Sequence, residues 1–297
     1  MDVLSPNDLT PVENRNGRLY KMEHAHRDPE SGVNGSKFRV CRHLMAEAVK
    51  SGATKVVSAS SVLSPQAAMA GVLADQFGLD CELVFGATTP ELAERHVSPA
   101  IAVAHGAIIN AEKRRPAYNN SIQHVAAQIA RREPGTWQLP YGITPPADAS
   151  RGAVEAFLAV NGAQVQNLPP ETRTLVMTLG SGNTAAGVLY GFWKHGFPKD
   201  FEQVVLVGVG PDRLNWMYER LEHIGVLREK FVGYVTHLPL HGWFAEYADK
   251  MPETVDGIVL HPTYEGKLAR FLNTAQPDWW IRRDGTTCFW IVGGPIA

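Results

Sequence analysis

The sequence predicts an α/β protein built mainly on parallel sheets. Three observations carry that prediction. Short apolar, β-branched runs alternate with longer amphipathic stretches, and glycines close many of the latter. The alternation is clearest after Pro169-Pro170, where strands expected at 174–179, 203–209 and 257–260 are separated by helices expected at 184–195 and 213–224. Strands connected in this way need crossovers, which are right-handed and place helices on both faces of a sheet. Ligands then bind at the carboxyl ends of the strands.

Taken in order, residues 1–36 are rich in turn formers, among them Pro6, Gly17, Pro29, Gly32 and Gly35, around one short strand at 18–23. An amphipathic helix runs from Lys37 to Lys50 and stops at Gly52. A buried strand at 55–59, a helix at 66–77 ended by Gly78 and a strand at 81–85 then make a βαβ unit. Helices are expected at 91–96, 120–132 and 150–161, with weaker strands at 101–104 and 136–139. A helix at 266–272 and a strand at 288–292 complete the series. The Pro134-Gly135 turn and Thr144-Pro145-Pro146 mark a boundary between a smaller middle domain and the rest.

Composition narrows the function. A chain of 297 residues with 44% hydrophobic and 20% charged residues has a substantial core and forms one large domain or two modest ones. A formal net charge of -2 and a pI near 6.6 provide no basic field for bulk nucleic-acid binding. Cys41, Cys81 and Cys288 are odd in number and widely spaced, which argues against a disulfide framework and fits a reducing cytoplasm. The first sixteen residues lack the basic start and apolar core of an export signal, and no apolar run is long enough to span a membrane, so a soluble, cytoplasmic protein is expected. His24-x-His26 is the one close histidine pair, with no HExxH pattern, and no metal site is expected. Trp279-Trp280 reads as core or interface.

Three segments carry chemistry. In Val33-Asn34-Gly35-Ser36-Lys37, a lysine sits in a glycine turn at the mouth of a helix. A cation is unfavourable against that end of the helix dipole, and a lysine that must spend part of a cycle neutral gains from the mismatch. A solvated helix lysine is the plain alternative. Gly180-Ser181-Gly182-Asn183-Thr184 leads from an apolar strand into a helix, so its amides converge where a phosphate binds. The same stretch matches a dinucleotide fingerprint, Gly180-x-Gly182-x-x-Ala185, with Asp200 twenty positions beyond Gly180; Asp200, however, precedes the next strand instead of ending it. Thr263-Tyr264-Glu265-Gly266-Lys267 offers a carboxylate and a phenol beyond a strand end; a capping glutamate and a packed tyrosine are the plain alternative. Amine, phosphate cradle and carboxylate are the three attachments that pyridoxal 5'-phosphate (PLP) needs. Ser64-Pro65-Gln66 opens another helix, where Ser64 is a cap, a ligand for a substrate carboxylate, or both.

In this order the segments resemble the fold-type II, tryptophan synthase β-like PLP enzymes. Gln138-Leu139-Pro140-Tyr141-Gly142 and the closing Gly293-Gly294 add to the match, which spans about residues 20–294. The Tyr264-Glu265-Gly266-Lys267 stretch points to the 1-aminocyclopropane-1-carboxylate deaminase and D-cysteine desulfhydrase branch. The resemblance implies two three-layer domains with parallel sheets: a large one from 1–49 and 134–297, and a smaller one at 50–133 inserted after the lysine helix. It implies Lys37 as the Schiff-base lysine and α-proton base, Asn34 and residues Gly180, Ser181, Gly182, Asn183 and Thr184 around the cofactor, and Glu265 at its ring nitrogen. Ser64, Gln66, Tyr141 and His241 would bind substrate, with Ser64 and Tyr264 assisting proton transfer. A homodimer is implied as well.

Three departures stand out. Pro65 occupies the place of an asparagine that donates to the cofactor's phenolic oxygen, and proline has no donor to offer. The second tyrosine of the branch has no clear counterpart, with His241 roughly where it would fall, and the chain looks trimmed between residues 85 and 140. The expected activity is carbanion chemistry on an amino acid, led by elimination or deamination to a 2-oxo acid and ammonia. Decarboxylation of an amino acid carried on a larger molecule such as a modified nucleotide is the second reading, and non-catalytic PLP binding the third.

Overall fold

The computed structural model describes residues 8–146, 148–275 and 284–295; Trp279-Trp280 lies outside the described residues. In order, the elements are β1 (Val12–Arg15), β2 (Arg18–Met22), α1 (Ser36–Lys50), β3 (Lys55–Ala59), α2 (Gln66–Phe77), β4 (Asp80–Gly86), α3 (Pro90–Ala93), α4 (Val97–Ala104), β5 (Ile108–Glu112), α5 (Asn119–Arg132) and β6 (Thr136–Leu139). There follow α6 (Arg151–Gly162), β7 (Thr174–Leu179), α7 (Asn183–His195), β8 (Gln203–Gly208), α8 (Leu214–His223), β9 (Val235–Pro239), β10 (Thr254–Val255), β11 (Ile258–Val259), α9 (Glu265–Ala275) and β12 (Thr287–Ile291).

A six-stranded sheet has the order β1-β2-β12-β7-β8-β9, and a four-stranded sheet the order β5-β4-β3-β6. The smaller sheet is parallel throughout, and the larger is parallel except for the β1–β2 hairpin. β7 is buried along its whole length, as an apolar strand covered on both faces should be. The amphipathic α1 buries Phe38, Val40, Cys41, Leu44 and Met45, each large side chain contributing about 1.5–3 kcal/mol.

The structure departs from the sequence-based expectations at several points. Residues 101–104 are not a strand but the last turn of α4, where Ala102 meets the backbone of α2 so closely that a Cβ on Gly71 would lie 2.6 Å from it. Such a short apolar run cannot display a helical period, so strand and helix look alike in sequence. The strand of this region comes later, as β5, beyond the turn at Gly106. Residues 257–260 contribute only β11, which pairs antiparallel with β10 outside both large sheets. The polar edge strand β1 and the edge strand β9 were not anticipated. β6 pairs with β3, so the smaller sheet continues past the boundary expected at 133–134.

The turn before α1 is tied to the exit of β12. Gly35 has φ 93°, and a Cβ there would come within 2.5 Å of the Val292 carbonyl oxygen, so only glycine fits. That carbonyl accepts the Ser36 amide at 2.8 Å, while the Asn34 Oδ1 accepts the Gly294 amide at 2.7 Å. Among the described residues, no helix is long and apolar enough to cross a membrane.

Candidate active site

A cleft of about 650 Å³ opens at the carboxyl end of β7, and its walls bring together three segments far apart in sequence. Asn34 and Lys37 come from the start of α1, Gly180, Ser181, Gly182 and Thr184 from the β7–α7 turn, and His261 and Tyr264 from the approach to α9. Val292, Gly293 and Gly294 form the side stitched to the lysine turn.

The glycine turn has a steric reason for its composition. Gly182 has φ 86° and ends the turn at the start of α7; a Cβ there would lie 3.0 Å from Trp216. A Cβ on Gly180 would lie 3.2 Å from the ring of Tyr264. Bare backbone therefore faces the cleft at a helix N-terminus, where amides are free to receive an anion. Asn183 does something else: its amide donates to the carbonyls of Gly142 and Ile143, at 3.3 and 3.1 Å.

Lys37 extends into the cleft, and burial of its ammonium pushes its pKa below the ordinary lysine range, against the opposing influence of Tyr247 and Tyr141. Glu265 is buried directly behind the wall. Its Oε1 accepts from the Thr178 hydroxyl at 3.3 Å and the Val292 amide at 2.9 Å, both from cleft-lining residues, while its Oε2 is buried with no hydrogen-bond partner. Burial raises this carboxyl from 4.5 to about 7. A buried carboxylate oxygen without a donor is costly, and a protonated ring nitrogen would complete its donor set.

Of the remaining predicted residues, Tyr264 lines the cleft, its phenol raised in pKa chiefly by burial. Tyr141 stands partly exposed near Lys37 and Tyr264. Gln66 does not line the cleft: its side chain donates to Ser58 Oγ and Pro140 O and accepts the Gly142 amide at 2.8 Å. Gln66 and Asn183 thus hold the 140–143 loop from opposite sides. Ser64 Oγ accepts the Gln66 amide at 3.2 Å in the turn before α2, and its carbonyl accepts from Ser98 Oγ. Pro65 lines the cleft. His241 stands outside the cleft wall, 3.6 Å from the Glu246 carboxylate.

A histidine of the cleft wall and a tyrosine beside it escaped the sequence reading. His261 lines the cleft, its ring 4.7 Å from that of Tyr264, and burial pushes its pKa down to about 4. The Tyr247 hydroxyl lies 3.3 Å from that of Tyr264. Tyr247 lies six positions beyond His241 on the same loop and reaches the place where a second phenol was sought. His261 had a signal, its position three residues before Tyr264; Tyr247 had none, because an irregular loop gives no period from which to infer direction.

No family model matches the chain. The O-seryl-dTMP PLP-dependent decarboxylase of Salmonella phage ViI is 28% identical over 317 residues, covering 89% of this chain and 73% of the phage protein. A candidate 1-aminocyclopropane-1-carboxylate deaminase of Pyrococcus horikoshii is 25% identical, covering 80% of this chain and 73% of its own. Among solved structures, an ACC deaminase homologue superposes with a TM-score of 0.72 at 21% identity, over 99% of this chain and 92% of its own. Threonine deaminase isoform 2 of Solanum lycopersicum gives a TM-score of 0.62 at 14% identity, over 96% of this chain and 84% of its own. The fold is that of the fold-type II, tryptophan synthase β-like enzymes, in agreement with the resemblance carried by the motifs.

Proposed function

We propose that the cleft holds pyridoxal 5'-phosphate and acts at the α-carbon of an amino acid, and that its reaction is decarboxylation of an amino acid carried on a nucleotide-like group. One observation carries the cofactor assignment: the Lys37 amine and the bare glycine turn face each other across a single cleft, with Glu265 bonded to the cleft-lining Thr178 and Val292 behind its wall. PLP, when bound, withdraws the electrons of the bond broken at the α-carbon. The chain supplies the rest. Lys37 anchors the aldehyde carbon and moves the proton at the α-carbon, its depressed pKa favouring the neutral amine that both tasks need. The 180–184 amides and the N-terminus of α7 grip the phosphate. Glu265 Oε2 takes the ring N–H, and Met69, Leu179 and Val292 exclude water along the wall.

Three observations support the choice of reaction. The phage decarboxylase matches most of the chain. Pro65 takes away the donor expected at the phenolic oxygen. Tyr141 and Tyr247 are exposed near Lys37, leaving aromatic surface on which a planar base can rest. Elimination or deamination of a free amino acid is the second reading, favoured by the facing phenols of Tyr247 and Tyr264, which suit proton transfer at a substrate side chain. Assembly as a homodimer belongs to the same proposal and is checked by sedimentation.

The purified protein should be yellow, borohydride should fix the cofactor to the chain, and Lys37→Ala should abolish that fixation and lower turnover by roughly a thousand-fold or more. O-seryl-dTMP should then release carbon dioxide, and free serine should release little ammonia or 2-oxo acid. Ammonia from the free amino acid would favour the second reading. A cofactor spectrum without turnover of any amine would mark a protein that only binds PLP, and a colourless protein would end the reading.

A further inference from the structure

The Tyr264-Glu265-Gly266-Lys267 stretch places Tyr264 in the cleft wall and Glu265 behind it, and leaves the last two residues unexplained. A Cβ on Gly266 would stand 1.9 Å from the Met251 carbonyl oxygen, so the start of α9 is pressed against the backbone of the loop between β9 and β10. Lys267 is fully buried. Its amine donates to the carbonyl oxygens of Glu246, at 2.5 Å, and Tyr247, at 3.1 Å, and lies 5.6 Å from the centre of the Tyr247 ring. Burying an ammonium is costly unless acceptors replace its water, and here two consecutive peptide carbonyls do so.

The loop needs such a post. It forms no helix or multi-residue strand among the described residues, and its internal ties are a few backbone bonds such as Ala245 N to Leu240 O and Asp249 N to Glu246 O. Tyr247 hangs from it 46% exposed, yet its hydroxyl stands 3.3 Å from that of Tyr264. Tyr264 directly precedes α9 and its carbonyl accepts the Lys267 amide at 3.1 Å, so both residues belong to one turn that contacts Tyr247. One turn of helix therefore grips Tyr247 at both ends, the phenol through Tyr264 and the backbone through Lys267.

We propose that Lys267 is a positioning residue that sets the Tyr247 phenol at the mouth of the cleft and so fixes how the substrate side chain meets the Tyr247–Tyr264 pair. This rests on the functional reading above, and its test separates the two. Lys267→Met keeps an unbranched apolar stem and removes the donors. It should leave the cofactor spectrum unchanged, lower kcat by ~10- to 100-fold, and speed amide exchange at residues 246–251. Tyr247→Phe should give a similar kcat loss without the faster exchange. The double variant should match Tyr247→Phe within about two-fold instead of multiplying the two losses. Multiplying losses, an unchanged kcat or unchanged exchange in Lys267→Met would overturn the proposal.

If Lys267→Met does not fold, Gly210→Ala displaces the same ring from its other side, since a Cβ there would lie 2.8 Å from Tyr247 Cδ2. It should cost activity only while Tyr247 retains its hydroxyl; an equal loss in Tyr247→Phe would refute the positioning role. A wild-type protein without cofactor would defeat the functional reading alone, and amide exchange would still decide whether Lys267 holds the loop.

Discussion

Two buried carboxylates flank the lysine turn, and they are treated in opposite ways. Behind α1, Glu23 is fully enclosed and saturated: it accepts the hydroxyls of Thr10 and Ser36 and lies 3.4 Å from Arg39 Nε in an equally buried ion pair. Lys21 extends the same network, donating to Thr10 O at 2.7 Å and Asn167 Oδ1 at 2.6 Å. In front, Glu265 is just as removed from water, yet one oxygen has two donors and the other has none. A saturated buried acid is scaffold. A half-saturated one carries a cost that a donor from a bound ligand would relieve.

Removing the charge at the back should do the greatest damage to stability. Glu23→Gln leaves the Arg39 guanidinium buried without its counter-charge and should cost about 3–5 kcal/mol, read as a shift of the urea midpoint at unchanged slope. Glu265→Gln, by contrast, should leave the cofactor-free protein at least as stable as the wild type near pH 8 while lowering activity.

The second expected effect is pH-dependent. A carboxyl whose folded pKa is about 7, against 4.5 when exposed, adds stability in full below 4.5 and loses it as the pH rises through 7. For the cofactor-free protein this amounts to something on the order of 3 kcal/mol. His26 and His261, depressed by burial from 6.5 to about 3 and about 4, act in the opposite direction, losing stability as the pH falls below 6.5. The quantity to measure is therefore the difference in unfolding free energy between wild type and Glu265→Gln across pH 4.5 to 8. No pH dependence in that difference would mean that Glu265 does not carry the deficit assigned to it.

Between these extremes lie the neutral amides of Gln66 and Asn183. Gln66→Ala and Asn183→Ala each remove hydrogen bonds to the 140–143 loop and should cost about 1–2 kcal/mol, measured by thermal unfolding. Both should also weaken cofactor retention if that loop supports the β7–α7 turn.

The contrast explains what the sequence made legible. Glycine turns, strand-to-helix transitions and the Tyr264-Glu265 pair are local, so the alternation from β7 to α8 and the three cleft-forming segments could be read directly. Partners are not local. Gln66 and Asn183 were expected to meet substrate and cofactor, and nothing in their neighbourhoods in sequence shows that both instead reach the Pro140–Gly142 backbone. Tyr247 was missed because its placement depends on Lys267, twenty residues ahead on another element. The strand assigned to 101–104 failed for a different reason: four apolar residues carry too little periodicity, and packing against Gly71 decided for helix.

β12 comes last among the strands, yet it lies between β2 and β7 in the middle of the larger sheet, and its exit is bonded to the lysine turn. A nascent chain halted before residue 287 would leave β2 and β7 without the strand that joins them. Assembly of the lysine pocket therefore depends on a pairing between segments far apart in sequence, the kind of long-range closure that slows folding.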